Sequence, residues 1–242
     1  MKVRFLIFLG LGFALFSRGA TNLNWFAAGT NAYGSGDFAE AARLFREAVS
    51  AQPSSGGLVN LGLAQWQQGH VGAAILAWEQ ALWIDPFERR ARNNLRFARL
   101  TAQLESPELT WYEAGSTWLP ANAWAWIAGG SLSLVVALLT LPGVLRWRKS
   151  PWQQAAAALA LGVLIFSLPV SVGVLTRTQL GIVLERDAPL RLTPTAEGEA
   201  VTRLAAGEPA RRVNARGNYV FVKTSRGAGW IRQEEFGWIC PP

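Results

Sequence analysis

Two runs of sequence without an ionisable side chain, Ala123 to Leu145 and Ala155 to Thr176, constrain this chain more than any other feature. Wound as α-helices rising about 1.5 Å per residue, each is long enough to cross a hydrocarbon layer about 30 Å thick. Between them stands Arg146-Trp147-Arg148-Lys149-Ser150-Pro151-Trp152, whose three positive charges the positive-inside rule places in the cytoplasm. The expected unit is a transmembrane hairpin with spans at 123–145 and 155–176 and a cytoplasmic loop at 146–154. Pro169 interrupts the second span, as a kink that a membrane helix tolerates. Trp124, Trp126, Trp147 and Trp152 fall where interfacial aromatic belts belong.

Both flanking segments then face outward, and the start of the chain agrees. Met1-Lys2-Val3-Arg4 followed by uncharged Phe5 to Phe16 reads as a signal peptide or N-terminal anchor over 1–20. The formal charge of +7 follows this topology. Residues 21–121 carry seven basic and nine acidic side chains, and 177–242 carry ten and seven. The remaining excess lies in Lys2, Arg4, Arg18 and the loop. Nucleic acid is therefore not an expected partner. One Cys (Cys240) and one His (His70) leave no disulfide within the chain and no Cys or His metal set. Neither span holds the charged groups that mark an ion path. With no nucleophile and base at a recognisable spacing, the chain reads as non-catalytic, with no cofactor and no metal.

The first outward segment repeats itself. Gly29/Gly62, Gly36/Gly69, Ala41/Ala74, Phe45/Trp78, Ala48/Ala81 and Pro53/Pro86 all recur at one spacing of 33 residues. Small residues let paired helices approach, the large aromatic fills the gap between them, and each proline ends the second helix of a pair. Asp37 with Glu40 predicts a helix start, and His70 in the equivalent position reads as a turn residue. Phe87 to Leu104 predicts a capping helix whose apolar stripe is Ala91, Leu95 and Ala98, with Arg89, Arg92, Arg96 and Arg99 forming a basic ridge. Residues 105–122 read as a linker grazing the membrane interface.

This pattern resembles the tetratricopeptide repeat, one residue short of that family's usual 34. The resemblance implies an all-α repeat solenoid over 22–104 with a concave groove that holds peptides. Its apolar wall would be Phe26, Thr30, Tyr33, Val59, Leu63 and Trp66, and its basic wall Arg89, Arg92, Arg96 and Arg99. Such walls suit an acidic segment with aliphatic or aromatic anchors. The alternative is an ordinary solvated arginine face.

Beyond Arg177 the pattern turns to short β-type runs at 181–184, 190–192, 210–213, 219–223 and 230–231. Pro189-Leu190-Arg191-Leu192, Leu204-x2-Gly207, Asn218-Tyr219-Val220-Phe221-Val222 and Gly229-Trp230-Ile231 resemble a bacterial SH3-like domain, a small all-β barrel over 178–242 with Trp230 at its end. Small-residue positions Gly129, Ser133, Ala137, Ala158 and Gly162 permit close helix packing, inside the hairpin or with a partner.

The order of signal, repeats, hairpin and SH3-like domain resembles the BatE-type proteins of bacterial aerotolerance operons. That resemblance implies a two-pass protein of the bacterial inner membrane with both globular parts extracytoplasmic. It implies a non-catalytic adaptor beside Bat-family membrane proteins bearing von Willebrand factor A domains and, indirectly, a MoxR-type ATPase. The alternative is a cell-wall sensor or anchor whose SH3-like domain binds peptidoglycan.

Overall fold

The structure, a computed structural model, describes residues 24–144 and 150–240. The signal segment and the loop charges Arg146, Arg148 and Lys149 lie outside the described residues. Five helices come first: α1 over 24–34, α2 (Phe38–Ala51), α3 (Ser55–Gln67), α4 (Val71–Ile84) and α5 (Arg89–Thr101). Each matched pair in the sequence has a physical counterpart. Gly36 and Gly69 both adopt a left-handed φ, +82° and +78°, in the turn that opens the second helix of each repeat. A Cβ on Gly29 would stand 2.9 Å from the Phe45 ring, and one on Gly62 would stand 2.7 Å from Cδ1 of Trp78. The absent side chain is thus what lets the aromatic of the facing helix sit against the backbone. Asp37 caps α2 by accepting from the Glu40 N–H at 3.0 Å, while the Glu40 carboxylate turns to Arg43. His70 occupies the corresponding start of α4 without a side-chain capping bond.

Helix α4 differs from a surface repeat helix in being apolar on nearly every side, which is the signature of burial on all faces. It packs against α3, α5 and the sheet strands β1 and β7 described below. Residues 105–120 are not a bare tether: they contain α6 (Trp111–Ser116), begun by a capping box between Thr110 and Glu113.

The two apolar runs form α7 (Ala121–Val144) and α8 (Pro151–Arg177), helices long and apolar enough to cross a membrane, packed side by side. Helix α8 begins earlier than the uncharged run because Pro151 suits the first helical position and the Ser150 N–H donates to Oε1 of Gln153 at 3.1 Å. The face of α8 turned inward carries Ala160, Ser167, Val170 and Gly173, with the Tyr112 backbone lying directly on Gly173. A Cβ added at Gly129 or Gly162 would meet nothing within 4 Å, so the contact between α7 and α8 does not require a glycine at either position.

The chain ends in one antiparallel sheet of seven strands: β1 (Leu180–Val183), β2 (Ala188–Arg191), β3 (Ala200–Leu204), β4 (Pro209–Arg216), β5 (Tyr219–Thr224), β6 (Gly227–Arg232) and β7 (Phe236–Trp238). Their order is β3-β2-β6-β5-β4-β1-β7, with β3 and β7 at opposite edges. The sheet is therefore unclosed, where sequence patterning predicts a barrel of five strands. The two unanticipated strands are edges: β3 is largely exposed and lacks strict alternation, and β7 has three residues.

Strand β1 is buried on both sides. Leu180 and Ile182 join the helical core with Ile75, Trp78 and Leu95, whereas Val183 faces the sheet core of Leu190, Leu204, Val220, Val222, Ile231 and Phe236. Alternate residues of one strand thus belong to two cores. Trp230, expected at a barrel end, instead lies half-buried on a sheet face, edge-on to Phe221 with ring centroids 5.2 Å apart.

Candidate protein-binding site

The first-helix positions of the repeats do not share one fate. On α1, Phe26 and Thr30 are exposed and Tyr33 is half-buried; Phe26 packs edge-on against Phe45, and Tyr33 against Phe38. The Thr30 hydroxyl donates to the Phe26 carbonyl at 2.9 Å. On α3, Leu63 and Trp66 are half-buried, but Val59 is completely enclosed and its carbonyl accepts from the Trp78 indole at 3.2 Å. Val59 is a core residue, because the indole of the paired helix covers it.

The arginine ridge divides in two. Arg99 makes an ion pair with Glu79 of α4, and Arg92 donates to the Pro86 carbonyl. Both line the crevice where repeats, hairpin and sheet meet, together with Arg177. Arg89, Arg92 and Arg96 are all exposed, and Arg99 is half-buried. The physical reason is angular: residues 92 and 99 lie nearer the Ala91, Leu95 and Ala98 face of α5 than 89 and 96 do at 100° per residue. A single basic wall of four arginines is therefore not what the fold presents. The neighbour that α5 gives to Trp66 is Phe97, with ring centroids 5.9 Å apart. Phe97 and Leu100 are 59% and 72% exposed, on the helix that ends the repeat stack. The exposed side chains among these positions are thus Phe26, Thr30, Arg89, Arg92, Arg96, Phe97 and Leu100, with Tyr33, Leu63 and Trp66 half-buried.

An ionic junction at the end of α8 ties α6 to the sheet. Glu113 of α6 is 1% exposed and takes two bonds from Arg211 of β4, at 2.8 and 3.0 Å. Its Oε2 also accepts from the Thr110 N–H and hydroxyl, each at 3.0 Å. Burial pushes the Glu113 carboxyl up. The Arg211 guanidinium, followed by the Thr110 N–H and the Thr176 and Thr110 hydroxyls, outweighs that and holds it down to about 2. Arg177, the last residue of α8, donates to the Ser116 hydroxyl at 3.0 Å and sits over the Trp83 ring of α4. Gln80 of α4 donates to the Trp238 carbonyl at 2.8 Å, and Gly72 admits the backbone of Val183 and Leu184. Apart from the Thr110 bonds, each contact joins two parts of the chain that are remote in sequence, so the patterning of either part alone does not disclose it. The capping sequence Thr110-x-x-Glu113 is the one local signal, and it marks the helix start without revealing Arg211.

Residues 26–89 match the tetratricopeptide repeat family. No curated protein matches the chain. The matched segment comprises the four helices α1 to α4, the part whose glycine and aromatic pairs interlock. Such repeats are in general protein-binding scaffolds, which fits a surface of exposed aromatic and arginine side chains.

Proposed function

We propose that this protein is a non-catalytic membrane adaptor, in which the repeat surface captures a segment of a partner protein and the α7–α8 hairpin fixes the complex at the membrane. The observation that carries the reading is the match to tetratricopeptide repeats over 26–89, continued by α5 with Phe97 and Leu100 left open beside Trp66. The favoured partner segment is acidic with aliphatic or aromatic anchors, because exposed Arg89 and Arg96 share α5 with exposed Phe97. With the loop at 146–154 cytoplasmic, the repeats and the sheet face outward from a bacterial inner membrane. The domain order supports a place beside Bat-family von Willebrand factor A proteins and a MoxR-type ATPase.

Crosslinking in native membranes followed by identification of the captured proteins tests this reading. Arg89→Glu with Arg96→Glu is the variant to compare, since both side chains are exposed and neither belongs to the ionic junction. Loss of a specific membrane protein is the expected result. Capture of the same proteins by wild type and variant would exclude the repeat surface.

A second reading rests on the sheet, whose arrangement supports an SH3-like domain that opens rather than closes. Phe221 and Trp230 lie half-buried on one sheet face beside Arg191, an aromatic platform able to stack on a peptidoglycan fragment. Retention of the full chain on purified cell wall, lost in Trp230→Ala with the repeats intact, is the result this reading requires.

A further inference from the structure

A cavity of about 270 Å³ lies where repeats, hairpin and sheet converge. Arg92 and Arg99 of α5, Arg177 at the end of α8 and Glu79 of α4 line it. Three guanidinium groups against one carboxylate leave two positive charges in excess. Glu113, a further carboxylate that acts on Arg177, is already held by both bonds from Arg211. Arg99 reaches Glu79 through Nη2, and its buried Nε has no hydrogen-bond partner among the described residues. Each guanidinium offers five N–H groups, so the bonds to Pro86, Ser116 and Glu79 use part of the available capacity. Convergent planar forks of this kind match the oxygens of a phosphate group.

The position of the cavity indicates where that phosphate comes from. Arg177 is the first charged residue after the uncharged length of α8, and Thr117, also in the wall, precedes α7 by four residues. Both stand at the level where the two helices leave the apolar layer. Trp111 and Trp118, 67% and 64% exposed, lie in the ten residues before α7, the stretch where interfacial aromatics meet headgroups. We propose that this cavity binds the phosphate of an anionic phospholipid headgroup and so clamps the repeats to the hairpin. The assignment of the phosphate to a lipid rests on the hairpin spanning the membrane; the anion site itself does not.

The test uses the full chain reconstituted in vesicles of phosphatidylcholine, with and without phosphatidylglycerol. Native mass spectrometry counts the lipids retained after mild delipidation, and thermal unfolding in detergent is followed with added short-chain phosphatidylglycerol or inorganic phosphate. Because the basic loop at 146–149 also attracts anionic lipid, the variants decide the outcome. Arg99→Gln and Arg177→Gln are expected to lower phosphatidylglycerol affinity about tenfold each, the size of one charge-assisted bond. Glu79→Gln removes the competing carboxylate and is expected to raise it about tenfold. A purely structural role for these residues would make all three variants bind less. Equal retention of both lipids by an inserted chain, or weaker binding by Glu79→Gln, overturns the headgroup site. Saturable stabilisation by inorganic phosphate with no lipid preference assigns the cavity to free phosphate and overturns the lipid source. Extraction of the chain from phosphatidylcholine vesicles by alkaline carbonate overturns the membrane-spanning reading instead.

Discussion

Glu113→Gln removes one buried charge and almost no volume, so its effect reports on the ionic junction together with the Thr110 cap that shares its carboxylate. In the folded chain the carboxyl titrates near 2, against 4.5 for the free group. A difference of that size corresponds to about 3 kcal/mol of stabilisation. Breaking a buried pair from one side is worth a similar amount, about 3 kcal/mol at the low end of its range, because Arg211 keeps 28% exposure and some solvent. For a chain of this size the loss lowers the unfolding midpoint by roughly 6–12 °C. The folded carboxyl has the lower pKa, so the contribution is complete above pH 4.5 and disappears as pH falls toward 2. The assay is thermal unfolding of the full chain in mild detergent from pH 7 to pH 2, comparing wild type, Glu113→Gln, Arg211→Leu and the double variant. Wild type is expected to lose its advantage over Glu113→Gln between pH 4.5 and 2, and the double variant to recover part of the loss. A midpoint unchanged in Glu113→Gln at pH 7, or a difference that survives at pH 2, would refute the claim that this pair holds the junction.

Three further outcomes follow from the packing. Gly62→Ala drives a methyl group into the Trp78 indole and is expected to cost about 2 kcal/mol, more than Gly29→Ala against the more tolerant Phe45 edge; helical circular dichroism during heating compares them. Gly72→Ala places a methyl group 2.6 Å from the Val183 carbonyl, which cannot move without disturbing β1, so limited proteolysis is expected to cut 105–110 faster as the sheet undocks from α4. The Cys240 thiol is pushed up by burial, partly offset by Arg177, so its alkylation rate is expected to keep rising at a pH where a free thiol has levelled off.

The helical repeats and the hairpin were legible because their determinants are local or periodic. Phe45 and Trp78 recur with the glycines they cover, and the spans of α7 and α8 follow from an unbroken run of uncharged residues. The same reasoning placed Val59 and Arg99 in a groove by continuing a period. Tertiary packing overrode it, since the Trp78 indole closes over Val59 and Glu79 draws Arg99 to α4. The sheet was half legible: β1, β2, β4, β5 and β6 have apolar runs between turn residues, whereas edge strands β3 and β7 carry too little alternation to be seen.

Sequence by itself determined which segments wind into paired helices, which are apolar enough to cross a membrane, and that the last part is β. Spacing and hydrophobicity suffice for that, because each property is set by residues within a few turns of one another. Only the tertiary structure decided that these parts form one body. Helix α4 is apolar on nearly every side because β1 and β7 cover the face that α3 and α5 leave, and Glu113 is tolerated inside because Arg211, almost a hundred positions later, arrives to neutralise it. Contacts between residues so distant leave no period in the sequence, and the cavity they enclose exists only once all three parts have met.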